Sequence, residues 1–208
     1  MFSTKPKLTF DPIQEASLLW GGNNNEEEEV FSDFTILSEE GTRFPCHRLV
    51  LGSQSPPLKA MMTRDTKEKQ EGKVQLQYKE DVVKAFVGFF YSRKVPQQIM
   101  EENLESFLTL ADFYDVASLK LQVEEAAVQL LSTENMLDMF YMGDLYSATQ
   151  LKEASKFLIS RNRDILKGLD LSLAFQLPSS MTFSGSCASQ TIHKSHVYRI
   201  VFELLNFH

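Results

Sequence analysis

The chain of 208 residues is short of several things, and each shortage removes a class of function. It has two cysteines, Cys46 and Cys187. They are too few and too far apart for a disulfide framework, so reduced thiols in a reducing compartment are the simpler reading. Its nine glycines never fall into the strand-loop-helix fingerprint that cradles phosphate, which argues against nucleotide hydrolysis. No run approaches the ~20 apolar residues of a membrane span, and the first ten residues hold no signal-peptide core. Basic charge is in deficit: 21 Lys and Arg face 28 Asp and Glu, a net charge of -7. Counterion release from nucleic acid needs clustered Lys and Arg, so neither nucleic acid nor membrane is an expected partner. What is present, 43% hydrophobic and 24% charged residues, fits a soluble globular protein of the nucleus or cytoplasm. The length allows one domain with appendages or two small ones.

Residues 1–29 combine an apolar patch, Ile13, Leu18, Leu19 and Trp20, with a Gly-Asn stretch and the acidic run Glu26 to Glu29. The patch suits one face of a short helix that needs a partner surface, and the rest reads as a linker. Val30 to Leu37 is β-branched and aromatic. Glu39 to Thr42 then turns, and Arg43 to Cys46 returns as a second strand. His47 to Ser53 begins a helix, and Ser55-Pro56-Pro57 starts another through Met61 and Met62. The polar stretch Thr63 to Gly72 is expected to loop to a strand, Lys73 to Tyr78, whose apolar residues alternate.

Helical spacing then dominates, in segments 81–91, 101–114, 116–131, 134–145 and 148–160. In the 116–131 segment Val116, Leu119, Val123, Ala126, Ala127 and Leu130 share one face. Asp112-Phe-Tyr-Asp-Val-Ala-Ser-Leu-Lys120 returns as Asp144-Leu-Tyr-Ser-Ala-Thr-Gln-Leu-Lys152, which predicts two helical corners of like geometry. Beyond residue 168 small polar residues prevail. Val197 to Phe207 is apolar enough for a strand or a short helix.

Reactive chemistry is sparse. Cys46-His47 places a nucleophile beside a base, but neighbours on an extended strand point to opposite faces and no orienting third group is evident, so a buried structural Cys is expected. Cys187, His193, His196 and His208 lack the paired spacing of zinc sites. Met136, Met139 and Met142 read as core on one helix, and Glu101, Glu102, Glu105, Glu124 and Glu125 as solvated helix faces. No catalytic residue, metal or cofactor is expected.

The order of elements from residue 30 to about 131 brings a family into view. Phe31-Ser-Asp-Phe-Thr-Ile36, Phe44-Pro-Cys-His-Arg-Leu-Val-Leu51, Ser53-Gln-Ser-Pro56 with Met61-Met62, Phe86 to Tyr91 with Lys94-Val95, and Leu110-Ala-Asp-Phe-Tyr-Asp-Val-Ala-Ser-Leu119 together resemble a BTB (POZ) domain. Leu131-Ser-Thr-Glu-Asn135 and Leu145-Tyr-Ser-Ala-Thr-Gln-Leu151 are most similar to the speckle-type POZ group. The resemblance implies an α+β fold: a small sheet with surrounding helices at 30–131, a 3-box or partial BACK helical pair at 132–167, and an irregular tail at 168–208. It also implies a non-enzymatic interaction protein that dimerises with itself or another BTB protein, holds cullin-3, and serves as a ubiquitin-ligase adaptor for an unknown substrate protein. No MATH domain, kelch repeat or zinc-finger array is recognisable as the substrate reader.

The family's hydrophobic-x-Glu cullin element aligns with Thr66-Lys67-Glu68, where the acid is present and the hydrophobe is not. Losing a buried apolar anchor costs about 1–3 kcal/mol, or roughly ten- to a hundredfold in affinity. The implied cullin-binding residues are Met62, Thr66, Glu68 and Tyr114, with Met62 a candidate substitute anchor. The other reading of Thr63 to Gly72 is a solvated loop. Implied dimer contacts are Leu49, Leu51 and Leu58 with the Ile13, Leu18, Leu19 and Trp20 patch, against which stands an ordinary role in the core. The alternative function is a scaffold or transcriptional co-regulator that does not bind cullin-3.

Overall fold

The extended, half-buried pattern of Phe34, Thr35, Ile36 and Leu37 makes a central strand, β1 (Phe34–Leu37). The computed structural model describes residues 32–162. β1 pairs antiparallel with β2 (Arg43–Cys46), Phe34 opposite Cys46 and Ile36 opposite Phe44. The hairpin turns through Gly41 at φ 88, a left-handed conformation that favours glycine. On its other side β1 pairs in parallel with β3 (Lys73–Gln75), which gives the order β2-β1-β3.

The His47-Arg48-Leu-Val-Leu51 block that carried the family likeness acts as a joint. Arg48 opens α1 (Arg48–Gly52), and its backbone N–H donates to Asp33 Oδ1 at 2.7 Å. The Arg48 guanidinium reaches the Asp33 carbonyl at 3.0 Å and the Met62 carbonyl at 3.2 Å, so one side chain joins the start of the sheet to the end of α2 (Pro56–Thr63). In α2 the Ser55 hydroxyl accepts from the Leu58 N–H, the cap expected from Ser-Pro-Pro.

The stretch expected as a loop is helical: α3 (Lys67–Glu71) starts on Thr66, whose hydroxyl accepts from the Lys69 N–H. It stops at Gly72, left-handed at φ 65. Five polar residues bury nothing on α3, so no apolar period marks it. Its cap and stop residues do.

α4 (Glu80–Ser92) is the centre of the first unit. Val82, Val83, Ala85, Phe86, Val87, Phe89, Phe90 and Tyr91 are all buried, as expected of a helix apolar on most sides. The segment expected as a single helix at 101–114 is two, α5 (Gln97–Glu102) and α6 (Leu104–Phe113). Asn103 at φ -134 leaves helical geometry, and its side-chain amide donates to the Ile99 carbonyl, closing α5 where α6 begins.

The chain divides into two compact units, residues 1–121 and 122–208, and the division falls inside α7 (Ala117–Gln129). In the second unit α8 (Met136–Leu145) and α9 (Thr149–Arg161) pack as a hairpin around Met136, Phe140 and Ile159. The methionines expected as core are so placed at Met136 and Met139, while Met142 is half-buried. Leu130, expected on the apolar face of α7, is exposed.

The sequence echo is a structural one. In the first corner Asp115 is left-handed at φ 49, the Val116 N–H donates to the Ala111 carbonyl at 2.8 Å, and Lys120 bridges Asp112 at 2.7 Å. In the second Ser147 is left-handed at φ 51, the Ala148 N–H donates to the Gly143 carbonyl at 2.8 Å, and Lys152 bridges Asp144 at 2.6 Å. Both corners end a helix on a left-handed residue, and the N–H groups beside it return to otherwise orphaned carbonyls. Gly143 stands where the first corner has Ala111. A Cβ on it would lie 2.7 Å from the Lys152 nitrogen, so the second corner is packed backbone on backbone.

One acid expected on a solvated face is buried. Glu124 on α7 is 4% exposed, and its Oε2 accepts from the Gln150 N–H at 2.6 Å and the Leu151 N–H at 3.4 Å. Ala148, at the N-cap of α9, offers no side-chain acceptor, so Glu124 supplies the cap from another helix.

Candidate partner-docking surface

Four residues implied for cullin contact lie on α2, α3 and the end of α6, but in different roles. Met62 is buried, and so is Tyr114. The Tyr114 ring packs on Phe86 at 5.6 Å, and its hydroxyl is pushed up to about 12 chiefly by burial, with the nearby Tyr78 and Glu68 adding to the rise. The Ser55 hydroxyl donates to the Tyr114 carbonyl at 2.6 Å, tying the start of α2 to the end of α6. Thr66 is committed to its helix, since its hydroxyl also donates to the Met61 carbonyl at 2.6 Å. Glu68 sits half-buried in the first turn of α3, where a carboxylate is favoured. Met62 and Tyr114 therefore support the surface from inside. Thr66 and Glu68 are the members of the set that a partner can reach.

Sequence reasoning missed Phe113. It is 67% exposed at the last position of α6, edge-on to Tyr114 with ring centroids 4.9 Å apart. A large apolar side chain left in water and stacked edge-on against a buried ring has the chemistry of a protein-contact anchor. The signal was in the corner echo, because the equivalent of Phe113 in the second corner is Leu145, also exposed.

The three leucines implied at the dimer contact separate in the same way. Leu51 and Leu58 are buried in the core of the first unit, whereas Leu49 is 83% exposed. Period explains it: α1 is five residues long, and a helix that short turns Leu51 inward only by turning Leu49 outward. Ile13, Leu18, Leu19 and Trp20 lie outside the described residues, as do the acidic run 26–29, the 168–208 tail, Cys187 and the three C-terminal histidines.

Cys46 is not built for nucleophilic work. It is fully buried, its Sγ donates to the Phe34 carbonyl, and burial pushes its thiol up to about 12, so the thiolate that would attack is suppressed. His47 is engaged elsewhere. Its Nδ1 lies 2.9 Å from the Tyr91 hydroxyl, which also accepts from the His47 N–H at 3.0 Å. Burial raises the Tyr91 hydroxyl well above the usual range. Among the described residues, no cluster of three or more His, Cys, Asp or Glu is placed to hold a metal ion.

The three-stranded mixed sheet, β2-β1-β3, shares the first unit with helices α1 to α6. Residues 23–131 match the BTB/POZ domain family, and the chain belongs to it. Among curated relatives, Kelch-like protein 23 of Mus musculus is 31% identical over 138 residues, 65% of this chain and 24% of the relative. Its Homo sapiens counterpart is 30% identical over the same length. BTB and MATH domain-containing protein 42 of Caenorhabditis elegans is 31% identical over 145 residues, 68% of this chain and 35% of the relative. The chain thus spans about a quarter to a third of the length of these relatives. Kelch-like and MATH-containing proteins match about equally well, so the likeness is to the BTB/POZ family and does not single out its speckle-type group.

Proposed function

We propose that this protein dimerises through its BTB domain and serves as a cullin-3 ubiquitin-ligase adaptor, or as the BTB partner of a longer adaptor, in the cytoplasm or nucleus. The observation that carries the reading is the BTB/POZ match at 23–131, shared with kelch-like and BTB–MATH relatives. Phe113 answers the missing hydrophobe at Thr66: it supplies an exposed apolar anchor next to Tyr114, whose hydroxyl senses Glu68. Leu49 is the dimer contact on α1. Helices α8 and α9 take the place of the 3-box pair, the feature most like the speckle-type group.

Thr66 favours a second reading, a BTB scaffold or co-regulator that does not bind cullin-3, because its hydroxyl is spent within the fold. Light scattering with and without cullin-3 separates the two. The adaptor reading expects a dimer that gains mass with cullin-3, loses that gain in Phe113→Asp, and becomes a monomer in Leu49→Asp. A folded dimer with no gain at micromolar cullin-3 leaves the scaffold.

A further inference from the structure

We propose that Arg48 is the positioning residue of α3: it clasps the two ends of the 62–72 excursion and so fixes where α3 presents Glu68 to a partner. What Glu68 meets there rests on the adaptor reading; the clasp itself rests on the geometry of the first unit. α3 has little of its own to hold it. It is five residues long and buries none of them, and a helix that short does not persist alone in water. Its ion pairs to Glu71, from Lys67 and Lys73, are both 3.6 Å long and exposed, a kind that contributes little. The place of α3 is therefore set where the chain enters it and where the chain leaves it.

Arg48 stands beside both points. At the entry the Thr66 hydroxyl donates to the Met61 carbonyl at 2.6 Å, and Arg48 Nη1 donates to the next carbonyl, that of Met62, at 3.2 Å. Two successive carbonyls in the last turn of α2 are thus served by side chains, one from each party. At the exit the Gly72 carbonyl accepts from the Thr35 N–H of β1 at 3.0 Å. Arg48 Nη2 faces this point, since a Cβ added at Gly72 would lie 3.8 Å from it.

The rest of the guanidinium is braced on the strand that receives the exit. Its Nε donates to the Asp33 carbonyl at 3.0 Å, and its carbon stands 5.3 Å from the Phe34 ring centroid, in the two residues that lead into Thr35. A planar fork with donors in fixed directions can hold one carbonyl on the strand and another on α2 while stacking on a ring. An ammonium group cannot. Glu68 lies in the first turn of α3, within a few residues of either end, so release of the clasp displaces it.

Arg48→Lys keeps the charge and removes the fork, and the full chain carrying it is read by single-amide hydrogen exchange and by calorimetric titration with cullin-3. The Thr35 amide, which reports the exit, and the Lys69 amide, which reports the Thr66 cap, should exchange about tenfold faster, the effect of losing one charged hydrogen bond. Amides of α4 should stay within about threefold, because the opening is local. Affinity for cullin-3 should fall about tenfold while the dimer mass is unchanged. Arg48→Met, which keeps the stem over Phe34 and no donor, should act in the same direction and further. Equal acceleration of the α4 amides overturns the proposal, since Arg48 is then an ordinary stabiliser of the whole unit. So does faster exchange at Thr35 and Lys69 with cullin-3 affinity unchanged, or weaker affinity with both amides at their original rates. If the unsubstituted dimer binds no cullin-3, the adaptor reading falls, and exchange at Thr35 and Lys69 against α4 decides the clasp by itself.

Discussion

Replacing Glu124 by Ala should release α9 at its first turn. The carboxylate accepts from two backbone N–H groups that no other side chain serves, and one of them, on Leu151, is buried. Loss of an N-cap acceptor costs about 0.5–2 kcal/mol. Stranding a buried N–H costs about 1–3 kcal/mol. Two effects reduce the total: Gln150 is exposed, so water can replace its bond, and alanine removes the desolvation cost of the buried carboxylate. The expected net loss is about 2 kcal/mol, or roughly 30-fold in an opening equilibrium. Because the chain has two units, a single melting curve averages them, so amide exchange across Leu151–Ile159 is the better assay. Those amides should exchange about 30-fold faster in Glu124→Ala. Glu124→Gln should cost less, since it keeps an acceptor oxygen and gives up mainly the charge–dipole part of about 0.3–1 kcal/mol. Exchange within threefold of the unsubstituted protein, or a Gln variant as damaged as the Ala variant, would refute the capping role.

The second corner offers two opposite tests, read by amide exchange in α8 and α9. Ser147→Gly should stabilise the second unit by about 0.5–1 kcal/mol, because glycine accepts φ 51 without the steric cost a serine bears. Gly143→Ala should destabilise it by about 1–3 kcal/mol, since the new methyl group meets the backbone of Lys152. Ala111→Gly in the first corner should cost only about 1 kcal/mol, the ordinary helix penalty. Cys46 should resist alkylation by iodoacetamide at pH 8 in the folded protein and react fully once unfolded, as peptide mass mapping would show; native labelling at the rate of a free thiol contradicts its burial.

Much of the first unit was legible because its elements are marked by local chemistry. The hairpin turn, the Ser-Pro-Pro start of α2 and the apolar period of α4 all act within a few residues of themselves. Failures came where a residue's role depends on what arrives from elsewhere. Glu124 reads as one more surface acid until α9 brings its N-terminus against it. Leu51 and Leu58 look like Leu49 in sequence, and only the packing of α1 and α2 sends two of the three inward. α3 was missed because a five-residue polar helix has no face to bury, although Thr66 and Gly72 mark both its ends. The split at Asn103 was hidden because apolar residues continue through it. The proposed contact residues suffered most. Phe113 sits in a run of core residues, Leu108, Leu110, Ala111 and Tyr114, and its exposure follows from helix phase at the last turn of α6.

The hydrogen bond from Ser55 to Tyr114 spans 59 residues, which gives it a meaning during synthesis. At about 5–20 residues per second, the ribosome delivers Tyr114 roughly 3–12 seconds after Ser55. In that interval α2 has its own cap but no tether, and the Phe86 ring waits without the Tyr114 ring that later covers it. A nascent chain whose residue 114 is still inside the exit tunnel while Phe86 to Tyr91 have left it thus presents the aromatic heart of the module to its surroundings. Binding of general chaperones to ribosome-arrested chains should fall sharply once the corner at Asp115 has cleared the exit tunnel.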